Sequence, residues 1–247
     1  LLNSFLCFFL LLIIALSKFS STVVFSELIS SIVFLLLSVM FYERQKSKYS
    51  TFFYAILGYT ALSVAIVNNF PKPEYFVWLS WQSLVVVATA LWFRSKIIIV
   101  ANFIMYLMIF FSYLVLEEKI GAIALSFGVV ALISARILNW QKHRLDLTTD
   151  AMRLSYLGSA FFIFPYALYH IVPKDYVGLS WTIVAIGYYV MSIILKNKKY
   201  RWMALLTFLL TVVYILFVGT TNLDPSYRII SFMFLGIVLL AISILYA

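Results

Sequence analysis

Few side chains in this sequence have chemistry to offer, and they are the place to begin. Glu27 is the only carboxylate inside an apolar run, in SELISSIVFLLL. An ionisable group at membrane depth is a functional candidate by default, because leaving it unpaired in hydrocarbon is costly. A proton or cation site follows from that reading. A second reading stays open: Glu27 lies close to the end of its run, where it reaches water or headgroups. Arg228 opens the last apolar run in a matching place, R-I-I-S against E-L-I-S. It is suited to pair with Glu27 or Asp224, or to hold a lipid phosphate.

The stretch FFIFPYALYH supplies the third candidate. Pro165 removes one helical hydrogen bond and is expected to kink its helix. Tyr166, Tyr169 and His170 follow it on one helical face, where they are suited to line an outward cavity for a polar ligand. Tyr and His are also ordinary residues of the membrane interface, and Pro is common in membrane helices. Asn102, Gln82, Ser80, Ser180 and Thr182 lie within or at the edge of apolar runs. Interhelical hydrogen bonding is their default role. Arg136 sits about one turn from the end of its run, where snorkelling accounts for it.

Other chemistry has no foothold. The sequence holds two histidines and one cysteine, and no zinc cluster, HExxH, phosphate-binding glycine loop or nucleophile elbow. No catalytic residues, metal site or cofactor are expected. The lone Cys7 cannot form an internal disulfide and gives no clue to redox compartment.

The elements that position these residues are set by composition. Of 247 residues, 65% are hydrophobic and only 11% charged, with a mean hydropathy of +1.06. Soluble domains carry roughly twice that share of charge. Too little polar surface exists to cover a core in water. The net charge of +9 does not point to nucleic acid, because the basic residues sit in short loops between apolar runs. Those runs cover roughly 2–17, 22–42, 51–70, 75–93, 97–116, 120–139, 151–172, 177–195, 201–219 and 227–247. Each is near the ~20 residues a helix needs to cross the hydrocarbon core. They are continuously apolar, whereas barrel strands would alternate. The expected fold is therefore all-α, a polytopic transmembrane bundle of about ten spans.

Orientation follows from the basic loops. Arg44, Lys46, Lys48, Arg94, Lys96, Arg136, Lys142, Arg144, Arg153, Lys196, Lys198, Lys199 and Arg201 fall on one side, thirteen of eighteen. Lys18, Lys72, Lys119, Lys174 and Arg228 fall on the other. The richer side is expected to be cytoplasmic, and with ten spans both ends lie there too. The chain begins at Leu1 and ends at Ala247 inside apolar runs, so a fragment of a longer membrane protein is expected.

Internal similarity suggests a parallel repeat. PKPEYFVWLSW (71–81) and PKDYVGLSW (173–181) each close an outer loop and open a helix, placing Ser80-Trp81 and Ser180-Trp181 100 positions apart. FGVVALIS (127–134) and LGIVLLAIS (235–243) add a weaker match. On this reading 51–139 and 151–247 are two four-helix units, and 1–42 is the tail of an earlier one. Trp81 is expected to superpose near Trp181.

The last run, SYRIISFMFLGIVLLAISILYA, is the most distinctive. Tyr227-Arg228, Ser231-Phe232, Leu235-Gly236, Leu239-Leu240, Ser243 and Tyr246 together resemble the C-terminal helix of a bacterial membrane family, domain of unknown function 2339. The resemblance implies a long array of hydrophobic helices in the bacterial inner membrane, and no catalytic residues. Three functions are weighed: a scaffold or partner subunit, a transporter or flippase-like protein for a small or lipid-linked substrate, and an enzyme acting on lipid or glycan. Nothing positive supports the last. The expected partners are membrane lipids, other membrane subunits or further helices of the same chain, and no nucleic acid.

Overall fold

In the computed structural model, the residues described are 23–117, 120–140 and 149–219, with a few positions between 226 and 240. Among them the chain is helical. α1 (Val23–Met40) runs on into a wider turn over Phe41–Gln45. It is followed by α2 (Lys48–Asn69), α3 (Tyr75–Trp92), α4 (Lys96–Leu116), α5 (Ile123–Trp140) and α6 (Thr149–Ile171). α7 (Val177–Ile194) and α8 (Lys198–Tyr214) complete the described set. All eight carry segments of 18–22 residues long and apolar enough to cross a bilayer, with mean hydropathies of 1.2 to 2.3. Ten spans were expected. Of the other two, 2–17 lies outside the described residues and 227–247 lies mostly outside them.

Three of the basic helix connections, all among the described residues, are built by one local device. Lys46, Arg94 and Lys196 adopt left-handed backbone, with φ of 48°, 49° and 47°. The next residue caps the following helix. Ser47, Ser95 and Asn197 accept from the amides of Ser50, Ile98 and Lys199. A lysine, Lys48, Lys96 or Lys198, then opens that helix. In the second and third turns the preceding helix closes with paired hydrogen bonds. Arg94 N–H donates to Leu91 O and Ser95 N–H to Ala90 O; Lys196 N–H donates to Ile193 O and Asn197 N–H to Ser192 O. Glycine usually occupies the left-handed site. A basic residue here accepts the backbone strain but complements the negative end of the helix dipole and supplies charge on the side the positive-inside rule favours.

Each such turn produces a tight helical hairpin: α1–α2, α3–α4 and α7–α8. In the first, Ser38 Oγ donates to Thr51 O at 2.9 Å. Gly58 lies so close to α1 that an added Cβ would come within 2.8 Å of Leu35 Cγ.

The hairpins α3–α4 and α7–α8 share one register. Their first helices begin at 75 and 177 and end at 92 and 194, 102 positions apart in both cases. On α7 the buried residues are Val177, Gly178, Trp181, Thr182, Ala185, Tyr188, Tyr189 and Ser192. The residues 102 positions earlier are Tyr75, Phe76, Leu79, Ser80, Ser83, Val86, Val87 and Ala90, all buried on α3. The LSW match, at 100, lies two residues out of this register, a rotation of about 200° around a helix. Accordingly Trp181 is 7% exposed and Trp81 is 40% exposed.

The chain divides into two compact units. One holds α1–α4 with 129–140 of α5 and 149–158 of α6; the other holds residues 120–128, 159–171 of α6, and α7 and α8. Within both, Ala and polar side chains are buried together with aromatic and aliphatic ones, while many further Leu, Ile, Val, Phe and Met side chains are exposed, as suits lipid as solvent.

Candidate functional site

In the first unit the polar residues of α2, α3 and α4 meet along a groove. Gln82 Nε2 donates to Tyr59 O at 2.8 Å and to Ser63 Oγ at 3.0 Å. The Tyr59 and Thr89 hydroxyls share a hydrogen bond. Asn102 Nδ2 faces three acceptors: Ser83 O at 3.1 Å, Ser83 Oγ at 2.9 Å and Tyr156 Oη at 3.0 Å. A backbone carbonyl cannot donate, so Ser83 O fixes which end of the Asn102 amide is nitrogen. The amide oxygen then has no donor among the described residues.

The groove encloses about 720 Å³, within the range of pockets that accept a small organic ligand. Ile56, Val67, Leu79, Val86, Ile104 and Met105 make its apolar walls, and Ser63, Gln82, Ser83 and Asn102 line it as well. Asp, Glu, Lys, Arg and His are absent from its lining. Its lining holds hydroxyls and amides, with no carboxylate, amine or imidazole beside them to activate a hydroxyl for bond chemistry. It suits binding of an uncharged, largely apolar molecule.

The residues singled out in the sequence fall elsewhere. Glu27 is buried at 4% exposure, on one face of α1 with the buried Ser31 and Ser38. Its Oε2 has no hydrogen-bond partner among the described residues. Arg228 lies outside the described residues, and with it the proposed pairing to Glu27.

Pro165, Tyr166, Tyr169 and His170 belong to the second unit and are brought together. α6 continues through Pro165 to Ile171. His170 packs edge-on against Tyr166, with ring centres 4.8 Å apart, and against Tyr169 at 5.3 Å. Tyr169 in turn meets Tyr214, which meets Trp181. Trp181 Nε1 donates to Pro165 O at 3.0 Å, tying α7 to α6 at the proline. Tyr166, Tyr169 and His170 are exposed. They form an aromatic surface, and the groove lies in the other unit. Arg136 is exposed, in keeping with snorkelling.

Asn102 and Gln82 drew only a general role in the sequence. Their partners come from three other helices at separations of up to 54 residues, so no local pattern could assemble the groove. The one available signal is the Tyr59–Ser63 pair, a helical turn apart on α2, the helix that precedes Gln82.

Eight described helices, each long and apolar enough to cross a bilayer, define the class: a multi-pass helical membrane protein. No protein-family profile, curated protein or solved structure matches this chain.

Proposed function

We propose that the protein is a structural or partner subunit of the bacterial inner membrane, with no bond-making reaction of its own. The observation that carries this reading is how the buried polar groups of α2, α3 and α4 are used. Gln82 bonds to Ser63 and Tyr59 and Tyr59 to Thr89, while Asn102 bonds to Ser83 and Tyr156, all within one unit. Outward, α4 presents Met108, Phe111 and Val115, each more than half exposed. Photoreactive phenylalanine at Phe111 or Val115 should cross-link in cells to one defined membrane protein in high yield. Cross-linking to lipid alone at every exposed position of all eight helices would overturn the reading.

A second reading, a transporter or flippase-like protein for a small or lipid-linked substrate, draws support from the groove. Its test is the rate at which labelled lipid crosses vesicles containing the purified chain, compared with empty vesicles.

Three finer features belong to this proposal. The basic turns at Lys46, Arg94 and Lys196 lie in the cytoplasm, with both ends of the sequence. Cysteines at Ser47 and Asn197 then resist an impermeant thiol reagent in intact cells, and one at Asn222 reacts; reversed labelling sinks this topology. The four-helix units 51–139 and 151–247 are parallel repeats aligned at 102. The similarity of 227–246 to domain of unknown function 2339 reflects common descent.

A further inference from the structure

Asn102 is 7% exposed, yet its amide oxygen has no donor among the described residues while its nitrogen is fully engaged. An unmet acceptor at membrane depth carries a free-energy cost that a ligand's donor can remove. Asn102 stands six residues past Lys96, about 9 Å into its helix, below the level of the headgroups. Along α2 the groove extends from Ile56 to Asn68, about 18 Å at the helical rise. That is a length suited to a single extended hydrocarbon chain.

From this geometry we infer that the groove between α2, α3 and α4 binds a neutral long-chain lipid whose hydroxyl donates to Asn102 Oδ1. Charge selects against phospholipid headgroups in the groove, since its lining holds no Lys, Arg or His and an unpaired phosphate at that depth would be costly. A helix of another protein reaches Asn102 only through a Ser, Thr, Asn, Gln or Tyr side chain, since its backbone N–H groups are used within the helix, and protection of 98–109 by such a partner is an outcome the test below distinguishes. A lipid alcohol has a mobile donor on an apolar chain and enters sideways from the bilayer. The inference goes beyond the partner-subunit reading and does not depend on it.

The test uses the purified 247-residue chain in dioleoylphosphatidylcholine vesicles, labelled with a long-chain alcohol bearing a diazirine. Labelling should map to residues 56–68 and 98–109, and be competed by unlabelled long-chain alcohol but not by its methyl ether. Asn102→Leu should lower labelling roughly 3- to 10-fold, the worth of one hydrogen bond. That variant also removes the bonds to Ser83 and Tyr156, so Met105→Trp provides a second arm. It fills the groove from its exposed wall, leaves the network intact, and should abolish labelling while the protein still elutes as a single species. Equal competition by alcohol and ether would overturn the inference. So would labelling outside these segments, or a cross-linked dimer that shields 98–109 from the probe.

Discussion

The hairpins α3–α4 and α7–α8 have the same turn, the same helix bounds at 102 positions and the same buried face, yet their interiors differ in kind. Where α3 places Phe76 against Tyr113, with ring centres 5.2 Å apart, the corresponding positions in the second hairpin hold Gly178 against Ile215. There an added Cβ would come within 3.0 Å of Ile215 Cγ1. Where α3–α4 bonds Ser83 to Asn102, the second hairpin has Ala185 and Ala204, both wholly buried. Small residues let helices approach closely, and Gly178, Ala185 and Ala204 supply them between α7 and α8. Bulky and polar residues occupy the same positions in the first pair, and a groove lies beside it. A shared turn sets the path of the chain, and side-chain size and polarity at matching positions then set what lies between the helices.

Trp181 gives the largest expected effect. Trp181→Ala removes a buried indole and its bond to Pro165 O, at a cost of about 3–5 kcal/mol. Trp81→Ala, at a half-exposed position, should stay within about 0.5 kcal/mol. Steric-trapping measurements of unfolding in bicelles would read both, and similar losses would erase the difference between the hairpins.

Next comes Gly178→Phe, which copies Phe76 into the close seam. Overpacking against Ile215 should cost about 3 kcal/mol, and adding Ile215→Ala should recover part of it. No recovery in the double variant would mean that this contact does not set the helix spacing.

Asn102→Ala should cost between about 0.6 and about 1.7 kcal/mol, the average and the maximum found for hydrogen bonds between membrane helices. Its counterpart Ala204→Asn buries an amide with no arranged partner and should also destabilise. A stabilised Ala204→Asn would show that the α7–α8 seam already holds polar partners.

The smallest effects test what the hairpins share. Ser95→Ala and Asn197→Ala each lose a helix cap, worth about 1 kcal/mol, and the two losses should agree within error. Clearly unequal losses would separate two turns that look alike.

Much of this architecture is legible in the sequence because its causes are local. Continuous apolar runs near twenty residues long predict the helices, and the eight that fall on described residues lie within a few positions of those seen. The loops KSK, RSK and KNK carry both the basic bias and the capping residue in three letters. The LSW pair, by contrast, pulled the internal alignment two residues off, because three matching letters in apolar sequence weigh little against a helix's buried face. Glu27 announced itself as a lone carboxylate, but its burial beside Ser31 and Ser38 is a tertiary fact.

Composition and the spacing of charge by themselves determined that this chain is a membrane-embedded stack of helices, since lipid demands backbone bonds satisfied within each segment. The sequence also set where the helices turn, through αL-tolerant basic residues followed by caps. Only the tertiary structure decided that Asn102 meets Ser83 and Tyr156, that Pro165 is held by Trp181, and that a groove lies beside α3–α4. Those outcomes rest on which faces of distant helices come together and on side-chain volume at the contact, and neither is written in any one helix's periodicity.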